Sequence, residues 1–317
     1  MLVDFRALNA ATEVDSHPLP RIEEVLQRQG KFKMWSVVDM KDGYHQVPLK
    51  PEHRDLTCMS TPRGTYRWKV LVMGLKNGNA IFQRVMEHVL KEHDFADPYV
   101  DDIIIGSTGE TEEELLTNHE RDLRAVLDTL AKNELYVEPK KAHLFMREIE
   151  FCGHILKEGK RSPSPGKLLS IEKWETPKTI TQLRGFLGLA NYYSQYIPNY
   201  AELASPLMDL LKVDKYSGKK GTKVPIAWTP AHTESFDKVK RALTTSLELF
   251  QVEPDSPFRL RCDASNFAVG GVLEQFREKD WVPVSFYSRK LTKSQLIWSA
   301  TEKETYAIVA CLWKWAG

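Results

Sequence analysis

The spacing of apolar and polar residues along this chain predicts a protein of the α+β class. Apolar residues recur at helical spacing over 22–29, over 80–93 and again over 116–130. Between these stretches lie segments rich in β-forming residues with turn residues inside them, which predict a strand over 34–49, a hairpin over 57–72 and further strands over 145–156. The residues before position 22 predict only a short extended start.

A change in the pattern predicts a domain boundary halfway along the chain. Residues 157–166 are polar and contain two prolines, as is typical of a linker. After it, Thr179 and Gln182 have the spacing of a capping box, which predicts a helix starting there. The apolar residues that follow, over 183–190, form one face of that helix.

The last third of the chain predicts a further α/β unit. The lysine-rich stretch 212–223 comes first and fits either a solvated loop or a binding patch. Strand patterns then occupy 258–263 and 282–288, and a helical pattern occupies 302–315.

Composition narrows the class of protein without identifying a partner. A chain of 317 residues with 42% apolar residues can form two or three domains with ordinary cores. The formal net charge of +1 neither predicts nor excludes a nucleic-acid partner, because a local basic groove would not change that sum. No apolar run reaches the roughly 20 residues of a membrane helix, and no signal peptide is visible, so we expect no membrane partner. The four cysteines are far apart, which favours reduced thiols and an intracellular protein.

Two adjacent carboxylates within an apolar run are the clearest sign of chemistry. Asp101 and Asp102 follow Tyr99-Val100 and precede three isoleucines. A tight hairpin turn would present both at its tip, because a straight strand would bury one of them. Such a pair fits either a solvated polar turn or a Mg²⁺ site, since carboxylate oxygens are ligands that Mg²⁺ prefers. Asp39 ends another predicted strand, so three carboxylates can converge on the two cations that a polymerase needs.

These residues belong to an ordered set of motifs along nearly the whole chain. The set resembles the reverse transcriptase of gypsy-type (metavirus) long-terminal-repeat retrotransposons. The motifs, in order, are Leu2-Val-Asp-Phe-Arg-Ala-Leu-Asn9, Val38-Asp-Met-Lys-Asp-Gly-Tyr-His-Gln46, Thr61-Pro-Arg-Gly-Thr-Tyr-Arg-Trp68, Met73-Gly-Leu-Lys-Asn-Gly-Asn-Ala-Ile-Phe-Gln83, Tyr99-Val-Asp-Asp102, Phe151-Cys-Gly-His154, Leu183-Arg-Gly-Phe-Leu-Gly-Leu-Ala-Asn-Tyr-Tyr193 and Asp263-Ala-Ser265.

The resemblance implies a right-hand polymerase fold in three parts. Residues 1–156 would form partial fingers and the palm, 157–225 a mostly helical thumb or connection, and 226–317 a truncated RNase H-like α/β domain. It further implies two Mg²⁺ ions, dNTPs, and an RNA or DNA template with its primer. Other chains cut from the same Pol polyprotein are further implied partners.

Roles for individual residues follow from the same resemblance. The metal ligands would be Asp39, Asp101 and Asp102. Lys141 would protonate the pyrophosphate leaving group, unless it is a plain surface lysine. The primer grip would be formed by Cys152, Gly153 and His154.

Four further residues would contact the nucleotide or the template. The Tyr44 ring would exclude ribonucleotides, although a packed strand aromatic is the alternative. Met73 and Gly74 would lie against the incoming base and the template, or form an ordinary hairpin. Arg6 would contact the template or form a buried ion pair.

The chain departs from the family pattern in ways that bear on activity. The clamp for the triphosphate lies upstream of Leu2 in the family, and of the RNase H carboxylates only Asp263 and Glu304 are present, so we expect no RNase H activity. Asn79 stands where the family pattern has a proline.

Two functions therefore compete. The first is an RNA-directed DNA polymerase fragment, and the second is an inactive remnant that at most binds nucleic acid. A viral RNA polymerase is disfavoured, because Tyr-Val-Asp-Asp replaces the Gly-Asp-Asp that is usual there.

Overall fold

The structure, a computed structural model, describes residues 3–213, 226–245, 248–253 and 255–316. It divides into two compact units. The first unit comprises residues 1–152 and 156–158, and the second comprises 153–155 and 159–317. No helix among the described residues is long and apolar enough to cross a membrane.

The first unit combines four α-helices with short strands. The helices are α1 (Arg6–Ala11), α2 (Ile22–Gln29), α3 (Gly78–Leu90) and α4 (Glu112–Lys132), with 3₁₀ turns at Gly43–Gln46, Pro51–Thr57 and Pro139–Lys141. The strands are β1 (Met34–Asp39), β2 (Met59–Thr61), β3 (Gly64–Tyr66), β4 (Ala96–Tyr99), β5 (Asp102–Ser107), β6 (His143–Met146) and β7 (Glu148–Phe151). Strand β8 (His154–Lys157) follows, where the chain passes between the units.

An antiparallel sheet in the order β4-β5-β1-β6 forms the centre of the first unit. Val38 and Ile103 face α3 and α4 on one side, whereas Trp35 and Ile104 face α2 on the other. Both faces are therefore covered. This explains why β1 and β5 are nearly continuous apolar runs instead of strict alternations.

The second unit is helical first and then forms a small sheet. Its helices are α5 (Pro165–Glu172), α6 (Ile180–Tyr192), α7 (Tyr200–Leu203), α8 (Ser205–Val213), α9 (Pro230–Thr244), α10 (Lys293–Leu296) and α11 (Ala300–Trp315). Its strands are β9 (Lys160–Pro163), β10 (Leu249–Phe250), β11 (Phe258–Ala264), β12 (Ala268–Arg277) and β13 (Asp280–Lys290). Aromatic residues such as Phe186, Tyr193 and Phe236 fill the core between the helices. Helix α11 packs on the antiparallel sheet β11-β12-β13.

Several predictions from the sequence are confirmed. The capping box at Thr179 and Gln182 forms and opens α6, whose residues Leu183, Phe186 and Leu187 are buried. The α+β class and the helices over 22–29 and 302–315 are also present.

Two other predictions are wrong, and one strand was missed. The start of the chain contains a helix, α1, because its Asn9 side chain binds the backbone of the loop at Gly74. Residues 157–166 are not a linker, because β9 pairs with β10 and the second proline, Pro165, occupies the first turn of α5. Strand β12 was not predicted at all. Most of the lysine-rich stretch 212–223 lies outside the described residues.

Candidate active site

The pairing of β1 with β5 brings three carboxylates to one end of the central sheet. In this register Asp39 lies directly opposite Asp102. Tyr99 also pairs with Asp102 across a two-residue turn, in which Val100 adopts the left-handed conformation with φ 54°. The turn presents Asp101 beside Asp39, and the Asp101 carbonyl accepts a hydrogen bond from the backbone of Met40 at 2.8 Å. The hairpin predicted from the sequence is confirmed.

Asp101 and Asp102 are held in an environment that disfavours their charge. Burial raises the pKa of Asp101, and the negative charges of Asp39 and Asp102 raise it further. Burial and the charge of Asp39 likewise raise the pKa of Asp102. The Oδ1 atom of Asp101 is buried and has no hydrogen-bond partner among the described residues. These carboxylates therefore lack sufficient positive charge and hydrogen bonding in the protein itself.

Lys141 supplies part of that missing positive charge. Its ammonium lies 2.9 Å from Asp39 Oδ1, and its side chain remains 64% exposed. The 3₁₀ turn that carries Lys141 is held to β1 by a hydrogen bond from Glu138 N to Asp39 O at 2.8 Å. The hydrogen bond and charge of Asp39 raise the pKa of Lys141, so this side chain is a cation at neutral pH.

With its side chains in these positions, the site holds an ion pair and not a cation cage. No three His, Cys, Asp or Glu side chains in the described parts of the chain are spaced to hold a metal. One reason is that Asp39 is directed at Lys141. The donor set nevertheless suits a hard cation, since it consists of carboxylate oxygens and includes the unpaired Oδ1 of Asp101.

Tyr44 lies beside these carboxylates, on the 3₁₀ turn Gly43–Gln46. Burial and then the negative charge of Asp101 raise the pKa of its hydroxyl, so the hydroxyl stays protonated at neutral pH. An ideal Cβ at Gly43 would lie only 2.6 Å from Asp101 Oδ1. The closest approach of this turn to the carboxylates therefore requires a glycine.

Met73, Gly74 and Arg6 are placed on the surface of the first unit. Met73 is 67% exposed, and Gly74 has a φ of 93°. The Gly74 carbonyl accepts a hydrogen bond from Asn9 of α1 at 2.7 Å. Arg6 binds Asp4 at the surface, so the buried ion pair is wrong for this residue. Roles of these three residues in binding template or nucleotide stay predictions.

The candidate primer grip is a strained turn between β7 and β8. Cys152 and Gly153 both have positive φ, 48° and 77°. Burial, with a smaller effect of the Asp102 charge, raises the pKa of Cys152 to about 12, so it is a neutral thiol near the site. In the second unit, His154 is buried with Nδ1 2.8 Å from the hydroxyl of Tyr196. Contact between this turn and a primer stays a prediction.

Asp263 and Glu304 belong to the second unit. Asp263 is exposed on β11, opposite Gly270 of β12. Glu304 is exposed on α11, which packs on the sheet. Burial raises the pKa of Cys262, the neighbour of Asp263, and the charge of Glu304 has a smaller effect in the same direction. A shared role in RNase H chemistry stays a prediction.

A buried polar network on the two strands that carry Asp39 and Asp102 was not predicted from the sequence. His119 of α4 lies between Ser36 of β1 and Ser107 of β5, at 2.7 Å and 3.0 Å. Ser107 donates to Asp122 at 2.7 Å, so Ser107 must accept from Nδ1 of His119. Burial lowers the pKa of His119 to about 4, so this imidazole is neutral at pH 7. The network fixes α4 against the two strands that carry Asp39 and Asp102. It could not be predicted, because a lone histidine on a helix does not specify its partners.

Comparison with known families assigns both parts of the chain. Residues 1–156 match the family described as reverse transcriptase (RNA-dependent DNA polymerase). Residues 228–317 match the family described as the RNase H-like domain found in reverse transcriptase.

Similar proteins cover almost the whole chain. The retrovirus-related Pol polyprotein from transposon opus of Drosophila melanogaster is 34% identical over 313 residues, which are 98% of this chain and 31% of that protein. The Pol polyprotein from transposon gypsy of the same species is 32% identical over 99% of this chain and 30% of its own length. The transposon Tf2-3 polyprotein of Schizosaccharomyces pombe is 30% identical over 99% of this chain and 23% of its own length. The chain thus spans less than a third of the length of each of these three relatives.

The fold is shared with a solved polymerase structure. The foamy viral protease-reverse transcriptase dRH superposes with a TM-score of 0.84 at 24% identity, over 98% of this chain and 52% of that one. The expected fold class is thereby confirmed. The chain belongs to the reverse transcriptase family of gypsy-type retrotransposon Pol polyproteins, with an RNase H-like domain in its C-terminal part.

Proposed function

We propose that this chain carries the nucleotidyl-transfer site of an RNA-directed DNA polymerase, which extends a primer with dNTPs along an RNA or DNA template. The observation that supports this most directly is the convergence of Asp39, Asp101 and Asp102 at one end of the central sheet. Asp39 is 62 positions before Asp101 in the sequence (101 minus 39). In such a site, the primer 3′-hydroxyl attacks the α-phosphate of the dNTP in line with the departing pyrophosphate.

We propose that Asp39, Asp101 and Asp102 hold two Mg²⁺ ions. The raised pKa values of Asp101 and Asp102 and the unpaired Asp101 Oδ1 support this, because both are relieved by a nearby cation. When bound, the ions stabilise negative charge on the attacking and leaving oxygens. The carboxylates of this chain then fix where that stabilisation acts, at the ends of β1 and β5.

Lys141 is proposed to act on the departing pyrophosphate of the nucleotide, and Tyr44 on its sugar. The Lys141 ammonium is exposed and protonated, so its Nζ can donate a proton to the departing pyrophosphate. The Tyr44 ring, beside Asp101, would occupy the space of a ribose 2′-hydroxyl and so select deoxynucleotides.

Nucleic acid would be held chiefly through its phosphates, so binding should weaken steeply with salt. The foamy viral structures of the same fold are described in complex with dsDNA and with an RNA/DNA hybrid. We propose the same kinds of partner here, inside the cell. We propose that residues 1–156 act as partial fingers and palm, 157–225 as the thumb or connection, and 226–317 as the RNase H-like domain.

The inactive remnant is not favoured. Loss of function would release the three aspartates from selection, yet all are present and converge in a costly like-charged cluster. A cluster that lowers stability without a function has no physical reason to persist.

Primer extension tests the proposal. The chain is supplied with a primed RNA template, dNTPs and Mg²⁺, and Asp101→Asn is compared with Asp128→Asn, an exposed aspartate of α4. We expect extension by the unchanged chain and by Asp128→Asn, and at least a hundredfold loss for Asp101→Asn, on the order seen when a charge-stabilising group is removed. Extension by Asp101→Asn at the normal rate would refute the role of the carboxylates.

A further inference from the structure

The hydroxyl of Tyr44 is held by Asn79, which stands where the family pattern has a proline. Tyr44 donates a hydrogen bond of 2.7 Å to Oδ1 of Asn79, 35 residues further along the chain. Asn79 is exposed in the first turn of α3. The two side chains thus tie the 3₁₀ turn that carries Tyr44 to the start of α3.

The rest of the Tyr44 ring is also packed against α3. Its centroid lies 5.4 Å from that of Phe82, with the planes tilted by 36°. The ring edge lies against Gly78, where an ideal Cβ would be 3.5 Å from Tyr44 Cε1. Packing at these two points limits the ring position, whereas the bond to Asn79 fixes the end that carries the hydroxyl.

Chemistry makes Asn79 the acceptor in this pair. The Tyr44 hydroxyl is protonated at neutral pH, since both burial and the nearby Asp101 disfavour its ionisation. The amide oxygen of Asn79 can accept that proton donor, whereas a proline at this position would have no side-chain acceptor. The contact therefore cannot form in a chain that has the family's proline here.

We infer that Asn79 is a positioning residue for sugar discrimination, acting through the orientation in which it holds the Tyr44 ring. The inference rests on the proposed polymerase function. A ring that excludes a 2′-hydroxyl discriminates only while it stays in place, and discrimination is a ratio of kcat/KM values for the two nucleotides. Release of the hydroxyl frees the ring to tilt and lets ribonucleotides enter more often.

The experiment compares incorporation of dNTPs and rNTPs by single and double variants. Asn79→Leu removes the acceptor at similar size, and Tyr44→Phe removes the donor while keeping the ring. Loss of one hydrogen bond predicts a roughly three- to tenfold rise in relative rNTP incorporation for each variant. The double variant should show no further rise, because both substitutions break the same bond.

A conservative variant and a control separate positioning from general damage. Asn79→Asp keeps the accepting oxygen and should retain discrimination closer to that of the unchanged chain than Asn79→Leu does. Asn133→Leu, at the C-terminal end of α4, should leave the ratio unchanged. In Asn79→Leu, we expect the KM for rNTPs to fall, while kcat for dNTPs changes less.

Three outcomes overturn the inference, and those that refute Asn79 alone can be told apart from the one that refutes the proposed function. Primer extension with an unaltered dNTP/rNTP ratio in Asn79→Leu, or additive effects in the double variant, would refute the role of Asn79 alone. An unchanged chain that incorporates no nucleotide would refute the proposed function and this inference with it.

Discussion

Single residues at the candidate active site stand where their charge is unfavourable. Burial and mutual repulsion raise the pKa values of Asp101 and Asp102, while Lys141 offsets only part of the repulsion. A raised carboxyl pKa means that the folded state binds protons more readily than the unfolded state, so at neutral pH ionisation of these groups lowers stability. The negative charge that the site needs for cation binding therefore lowers the stability of the folded protein.

Neutralising one of these carboxylates should stabilise the protein. Asp101→Asn removes the like charge, and a relief of about 1 kcal/mol raises the melting temperature of a unit of this size by roughly 2–4 °C. Thermal unfolding at pH 7 without divalent cations measures this change. Asp122→Asn is the matched contrast, because Asp122 accepts hydrogen bonds from Ser107 and Arg121. This variant should lower the free energy of unfolding by about 1.5–3 kcal/mol. A lower melting temperature for Asp101→Asn would contradict the electrostatic cost.

At the scale of elements, the sequence predicts those whose signal is local. The capping box of α6 lies within four residues, and the apolar runs of β1 and β5 are visible without any partner. The carboxylate hairpin was predictable for the same reason, since its turn and its acids are adjacent in sequence. Asp39 was likewise predictable as the polar end of an apolar strand, whereas Lys141 came only from the likeness of motifs to a known family.

Elements and contacts that depend on distant partners were not predictable. Strand β12 contains Gly270 and Gly271, which disfavour a strand locally, yet an ideal Cβ at Gly271 would lie 2.6 Å from the sulfur of Cys311. The glycine is required by the packing of α11 on the sheet. In the same way, the bonds from Tyr44 to Asn79 and from Ser36 to His119 join residues 35 and 83 positions apart.

Two glycines of the second unit should therefore respond in opposite ways to alanine. Gly271→Ala places a methyl group against Cys311 and the Arg261 carbonyl, and overpacking of this kind costs typically about 1–3 kcal/mol. Gly188→Ala, inside α6, meets no described atom within 4 Å and should stabilise by about 1 kcal/mol through helix propensity. Urea unfolding of both variants measures the difference, and equal effects would contradict the packing of α11 on β12.

At the scale of the whole molecule, each unit contains a buried neutral histidine. Burial lowers the pKa of His119 to about 4 in the first unit. Burial, with a smaller effect of the Arg161 charge, lowers the pKa of His154 to about 3 in the second. Both rings hydrogen-bond to uncharged hydroxyl groups, His119 to Ser36 and Ser107 and His154 to Tyr196. Both units are therefore built for the neutral imidazole.

Acid should consequently destabilise both units well before most carboxylates titrate. Below the unfolded histidine pKa of about 6.5, the unfolded chain takes up protons that the folded chain refuses, so stability falls by up to about 1.4 kcal/mol per pH unit for each histidine. The raised pKa values of Asp101 and Asp102 act in the opposite direction, because there the folded state takes up protons first.

Urea unfolding at several pH values between 7 and 4.5 separates these effects. His119→Gln and His154→Gln lower stability at pH 7, since each loses a fitted buried ring, but each should show a flatter decline on acidification than the unchanged chain. Exposed His88→Gln is the control and should keep the full slope. If both buried-histidine variants lost stability with pH as steeply as the unchanged chain, the acid sensitivity would have to come from other groups.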